Sequence, residues 1–226
     1  MAKFAKIIKE NNEFFLIKKF IRLFKRKVVD KKNGRFSFVL TGGKSPINLY
    51  QKLTKEKDIP WGKVDFFISD ERYVSRKSKF SNINTCKKNL LDRINISEKQ
   101  IYAVSTNNKS VKKDSEIYEK KIKKYFINKK VIFDLSLIGM GADGHIGGLF
   151  MENIINKSKN NVGFVKREDF IRIGLTLKSI NESKTIFLWA PNKKKLKIVK
   201  KILLDKKFKY PASFLKKKNS FLFYCN

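Results

Sequence analysis

The run FSFVLTGGKSPINLYQKL, residues 36–53, decides how the rest of the chain is read. Its first five residues form a short apolar run, the pattern of a strand buried on both faces. Thr41-Gly42-Gly43-Lys44-Ser45-Pro46 then breaks the strand, and INLYQKL resumes with apolar residues at helical spacing. Ser45 is placed to cap that helix, with Pro46 at its first position.

The alternation continues outward from there. VDFFIS (64–69) reads as a second buried strand and ends in the cluster Ser69-Asp70-Glu71-Arg72. SNINTCKKNLLDRI (81–94) fits a helix capped by Ser81, IYAVS (101–105) a short strand, and SEIYEKKIKKYF (115–126) a helix capped by Ser115. FDLSLI (133–138) is a strand running into GMGADGHIGGLF (139–150). IRIGLTL (171–177) and TIFLWA (185–190) are further strands, KKLKIVKKILL (194–204) a helix, and SFLFYC (220–225) a last strand. Upstream, apolar positions at helical spacing from Phe4 to Val28 predict a helix or helix pair over 3–29. The stretch 152–170, with NKSKNN inside it, predicts a mobile loop. Strands alternating with helices imply βαβ units. The expectation is a single α/β domain over 1–226, a mostly parallel, doubly wound, Rossmann-like sheet with helices on both faces.

Composition narrows the function classes. A hydrophobic share of 42% fills a core for 226 residues. The apolar runs fall far short of the ~20 residues a membrane helix needs. The N-terminal MAKFAKIIKENNEFF carries Glu10 and Glu13 and lacks a long apolar region, so no secretory signal is expected. Cys86 and Cys225 are far apart and show no metal spacing, which predicts a reduced, cytoplasmic protein, here expected to be a monomer. The net charge of +33 comes mostly from lysine, with only 8 arginines, and the lysines are spread along the chain. That distribution points to a solvated surface that attracts anionic substrates, with no specific nucleic-acid partner and no membrane. One histidine and two distant cysteines do not make a zinc site, and no metal or cofactor is expected.

In such sheets ligands bind outside the carboxyl ends of the strands, and three polar stretches follow strands directly. Gly42 and Gly43 allow close backbone approach, and the helix start with Lys44 and Ser45 suits an anion. In the second stretch, Asp70 suits a sugar hydroxyl and Arg72 a phosphate or carbonyl oxygen. The third contains His145, the chain's single histidine. Its neighbour Asp143 is placed to fix the imidazole or bind a hydroxyl, and a neutral imidazole activates water.

Together TGGKSPINLY, FFISDERYV with SN at 81–82, DLSLIGMGADGHIGGLF, IRIGLTLKSIN and PASFL resemble the 6-phosphogluconolactonases, in the family's order, over roughly residues 36–215. The resemblance implies hydrolysis of 6-phospho-D-glucono-1,5-lactone, a sugar-phosphate lactone, with His145 as general base. It assigns Gly42, Gly43, Lys44 and Ser45 to the substrate phosphate and Asp70 and Arg72 to the substrate. Arg172, and Lys194 in the stretch similar to the family's GxxK, are further phosphate candidates. The glucosamine-6-phosphate deaminase relatives share the GxGxDGH pattern, and Ile146 follows the histidine as it does in them. They carry a carboxylate five residues after the histidine, where this chain has Phe150. A basic polyanion-binding protein on the same fold is the reading from a different class.

Overall fold

The computed structural model describes residues 4–108, 110–127, 129–155, 159–204, 207 and 209–226. Seven strands form one parallel sheet. Two of them, β1 (Lys6–Glu10) and β2 (Phe36–Leu40), flank helix α1 (Glu13–Val29). Helix α2 (Ile47–Leu53) leads to β3 (Val64–Ile68) and then to β4 (Asp70–Arg72), which leaves the large sheet. Helix α3 (Asn82–Asn89), β5 (Ile101–Tyr102), α4 (Val111–Tyr125), β6 (Leu135–Gly139) and α5 (Met151–Ile155) follow. The chain ends with β7 (Val162–Lys166), β8 (Ile171–Leu175), α6 (Leu177–Asn181), β9 (Ile186–Ala190), α7 (Leu196–Leu204) and β10 (Ser220–Cys225).

The large sheet runs β1-β10-β9-β6-β2-β3-β5, and every pairing in it is parallel. Each buried strand feeds two cores because successive side chains face opposite ways. Phe38 and Leu40 point to one core with Phe20 and Phe24 of α1 and Leu49 of α2. Val39 points to the other with Tyr118 and Ile122 of α4 and Ile198, Val199 and Ile202 of α7. Both faces of the sheet are therefore covered by helices, as the continuous apolar runs imply. No helix of the described residues is long and apolar enough to cross a membrane.

Several local expectations need correction. The N-terminal segment is not helical throughout: Lys6–Glu10 pairs with β10, burying Ile8 and leaving Ile7 42% exposed. Helix α1 starts only after Asn12, whose side chain accepts the Phe15 amide. Ser81 does cap α3. The cap of α4 is Ser110, and Ser115 lies one turn inside, its hydroxyl bonded back to the Lys112 carbonyl. Ser45 caps nothing: Pro46 is the residue before α2 and makes no side-chain cap. The stretch 152–170 holds most of α5 and all of β7; residues 156–158 of NKSKNN lie outside the described residues. IRIGLTL is not part of the parallel sheet. Its first five residues, β8, lie antiparallel between β4 and β7 in a separate three-stranded sheet. Gly174 makes the crossing possible, because a Cβ there would lie 2.7 Å from Asp70 Cβ and 2.8 Å from the Ser69 carbonyl.

Candidate functional site

Strands β3 and β5 are laid down on one side of β2 and β6, β9, β10 and β1 on the other, so the chain order reverses between β2 and β6. In sheets of this kind, ligands bind outside the carboxyl ends of the strands at such a reversal. Thr41, the residue after β2, closes the floor there. Its hydroxyl accepts the Gly139 amide at 3.1 Å, and its carbonyl accepts the hydroxyl of buried Tyr50 at 2.6 Å. The Ser69 amide donates to the Leu40 carbonyl at 2.8 Å, tying the end of β3 to β2. The loops that follow β2, β3 and β6 thus start from one rigid floor.

The loop after β6 is folded on itself. The Gly141 amide donates to the His145 carbonyl at 2.8 Å, and the Gly147 amide returns to the Gly139 carbonyl at 3.1 Å. Gly144 and Gly147 take φ of +87° and +53°, a region that disfavours side chains. This folding brings His145 Nδ1 to 2.6 Å from Asp143 Oδ1, while the same oxygen accepts the His145 amide at 3.2 Å. A carboxylate at Nδ1 places the proton there and leaves the lone pair on Nε2. Nε2 has no partner among the described residues. Burial pushes the Asp143 carboxyl up, but the imidazole and amide of His145 outweigh it and hold the group below its usual range. The Phe150 ring lies 4.6 Å from the imidazole and is 6% exposed. An apolar ring therefore stands five residues after the histidine, against its imidazole.

The glycine turn after β2 faces this loop. Gly43 adopts φ +76°, and the amides of Gly43, Lys44 and Ser45 donate to no acceptor among the described residues. The Ser45 carbonyl accepts Trp189 Nε1 at 3.0 Å, and its hydroxyl lies 2.9 Å from Lys195 Nζ. That ammonium also donates to the Met140 carbonyl, so it bridges the loops after β2 and β6. Burial lowers its pKa, and no carboxylate pairs with it among the described residues. Lys194, expected in this role, is exposed and only its amide is engaged, by Asn192. The cause is helical phase: Lys195 shares the face of Ile198, Val199 and Ile202, the buried side of α7. Lys44 is exposed as well.

The residues of the DER cluster separate by role. Asp70 is 6% exposed, and its Oδ1 accepts the Ser69 hydroxyl at 2.7 Å. It lies under the histidine loop, since a Cβ on Gly147 would be 3.4 Å from Asp70 Oδ1. Glu71 instead holds the start of α3, accepting the amides of Asn82 and Ile83 at 2.6 and 2.8 Å and the Ser81 hydroxyl at 3.1 Å. Burial raises the Glu71 pKa against the pull of those amides. Arg72 donates to the Phe80 carbonyl at 2.9 Å, and its buried Nε has no partner. Arg172 pairs with Arg72 across β4 and β8. Its guanidinium grips Asp169 at 2.7 and 2.9 Å and lies 5.1 Å from the Phe150 ring centre. That fork holds the Asp169 carboxyl well below the usual carboxylate range. Arg172 is thus beside the histidine loop but already engaged, whereas Lys195 is a half-buried cation there without a counter-charge among the described residues. Of the lysines at 193–195, Lys195 reaches both loops, and Glu71 differs from its neighbours in holding the start of α3.

Comparison with known proteins places this geometry. Residues 15–223 match the family described as glucosamine-6-phosphate isomerases/6-phosphogluconolactonase. A 6-phosphogluconolactonase of Thermotoga maritima is 33% identical over 207 residues, 90% of this chain and 89% of that protein. The crystal structure of a 6-phosphogluconolactonase from Thermotoga maritima superposes with a TM-score of 0.85 at 28% identity, covering 98% of this chain and 100% of that one. A monomeric glucosamine-6-phosphate deaminase reaches a TM-score of 0.82 at 18% identity, over 98% and 97% of the two chains, a likeness of fold alone.

Proposed function

Because the chain belongs to the glucosamine-6-phosphate isomerase/6-phosphogluconolactonase family, we propose that it hydrolyses 6-phospho-D-glucono-1,5-lactone to 6-phospho-D-gluconate. The observation that carries this reading is the His145–Asp143 pair at 2.6 Å, with Nε2 unpartnered and Phe150 against the ring. That arrangement suits a base acting on water, and it lacks the carboxylate that a deaminase uses beside its histidine.

His145 Nε2 takes a proton from water as the oxygen attacks C1 of the lactone. The carbonyl π electrons move onto the carbonyl oxygen, which becomes an oxyanion. On collapse the C1–ring oxygen bond breaks, His145 returns the proton to that oxygen, and the carboxylic acid formed ionises to the product. Asp143 keeps the imidazole in the right tautomer and stabilises its charged form. The oxyanion's donors are loop amides or Arg72, whose guanidinium also holds the Phe80 carbonyl. The phosphate is held by the amides of Gly43, Lys44 and Ser45 together with Lys195, and Gly42 keeps the loop close. Asp70 accepts a hydrogen bond from a sugar hydroxyl. Arg172 contributes positive potential at the rim while it remains paired with Asp169.

Lys195→Ala should raise KM about 10- to 100-fold, the worth of one or two charge-assisted hydrogen bonds. Lys194→Ala should change it less than about twofold, as an exposed charge does. Steady-state kinetics on both variants checks the assignment, and equal effects would refute it. The function itself is tested by hydrolysis of freshly generated lactone, with the spontaneous rate subtracted. Turnover well above background supports the lactonase. Its absence, with turnover of glucosamine 6-phosphate, would favour the deaminase; salt-sensitive binding of duplex or RNA in place of either would favour a polyanion-binding protein.

A further inference from the structure

The Ser-Asn pair at 81–82 is part of the sequence motif, and the mechanism above gives Asn82 no task. Asn82 is 4% exposed. Its Nδ2 donates to the Asp70 carbonyl at 2.7 Å and to Asp70 Oδ2 at 3.1 Å. Both partners are acceptors, which fixes the nitrogen end of the amide. Oδ1 is consequently turned away from Asp70, buried and without a hydrogen-bond partner. It lies against Gly42, where a Cβ would be 2.2 Å from both Oδ1 and Cγ. Gly42 does not adopt a positive φ, so its missing side chain serves this close approach rather than a special backbone conformation.

A buried carbonyl without a donor costs stability; an apolar side chain of similar size would fill the same space and remove that cost, but would strip the donor from Asp70. Packing alone therefore does not call for an amide at position 82. We propose that Asn82 is a positioning residue: it orients the Asp70 carboxylate and, as a wedge against Gly42, sets the spacing between Asp70 and the loop at 42–45. The Asp70 carboxylate then has a donor on each oxygen, Ser69 on Oδ1 and Asn82 on Oδ2, and its plane is fixed. A substrate spanning the loop and Asp70 must match that spacing from its phosphate to its hydroxyl. This inference rests on the roles given to Asp70 and the loop in the lactonase reading.

The test is a double-variant cycle on lactone hydrolysis, with kcat, KM and melting temperature measured for the wild type, Asn82→Ala, Asp70→Asn and the double variant. Asn82→Ala should lower kcat/KM about tenfold or more, the size of one charge-assisted hydrogen bond. The double variant should be no worse than Asp70→Asn alone, because Asn82 acts through Asp70. Asn82→Asp keeps the shape against Gly42 but exchanges the donor for an acceptor. It should lose at least as much as Asn82→Ala at pH 8, because it sets a second carboxylate beside Asp70; wild-type kcat/KM in this variant would mean that the Nδ2 donor plays no part. Multiplying losses in the double variant, or a fully active Asn82→Asp, would overturn the proposal. A wild-type protein without turnover would overturn the lactonase reading itself, and this one with it.

Discussion

His145→Ala should lower kcat for lactone hydrolysis by about 10²- to 10⁴-fold, the range for removing a positioned general base, while KM and melting temperature should stay near the wild-type values. The size follows from the lack of a substitute: the chain has no second histidine. Asp143, the nearest carboxylate, is held below its usual range chiefly by His145, and even without the imidazole a carboxylate is a far weaker base. The fold survives because the loop is tied by its backbone. The Gly141–His145 and Gly147–Gly139 bonds do not involve the imidazole, and the side chain is 30% exposed. KM should be spared because the proposed phosphate site is formed by other residues, the loop at 42–45 and Lys195. His145→Gln should behave in the same way. Residual rates need comparison with buffer, since the lactone opens unaided. Full activity in either variant would refute the base assignment.

The parallel sheet was legible because its strands carry their burial in their own sequence. FSFVL, VDFFI and IFLWA are buried at every position, a local pattern that needs no partner to recognise. Strand β1 was not legible for the opposite reason. In KIIKE only Ile8 is buried, and the segment is extended because β10, more than two hundred residues later, offers an open edge. The small sheet hides in the same way: Asp70–Arg72 is a strand only through its pairing with Arg172–Gly174, a hundred residues on. The three site stretches could be placed because each directly follows a strand or, in the third case, runs out of one. What each residue does within them depends on contacts between stretches. Glu71 reads like Asp70 until α3 is seen to start on its carboxylate. One correction was within reach of the sequence. Extending the spacing of Ile198, Val199 and Ile202 backward by one turn lands on Lys195 rather than Lys194.

The glycine four residues before the histidine gives the second large effect. Gly141→Ala should lower kcat about as far as His145→Ala, roughly 10²- to 10⁴-fold, although it touches no group that reacts. A Cβ at this position would lie 2.1 Å from His145 Cε1, 2.2 Å from Nδ1 and 2.7 Å from Asp143 Oδ1, inside the space of the hydrogen-bonded pair. Alanine meets no backbone penalty, since Gly141 does not take a positive φ. Retreat of the backbone is opposed by the Gly141–His145 hydrogen bond at 2.8 Å and by the Gly144 amide on the Gly141 carbonyl at 3.3 Å. The methyl group therefore displaces the imidazole from Asp143, and Nε2 no longer points where the water attacks. Gly43→Ala is the contrasting case: nothing crowds its Cβ, but φ of +76° strains alanine by about 1–2 kcal/mol. It should raise KM through the phosphate loop and leave kcat nearly intact. In the double variant Gly141→Ala/His145→Ala, kcat should fall no further than in His145→Ala alone, because both substitutions remove one function. A Gly141→Ala protein with wild-type kcat would mean that the His145–Asp143 geometry is not the one used in turnover, and the proton would have to be taken elsewhere.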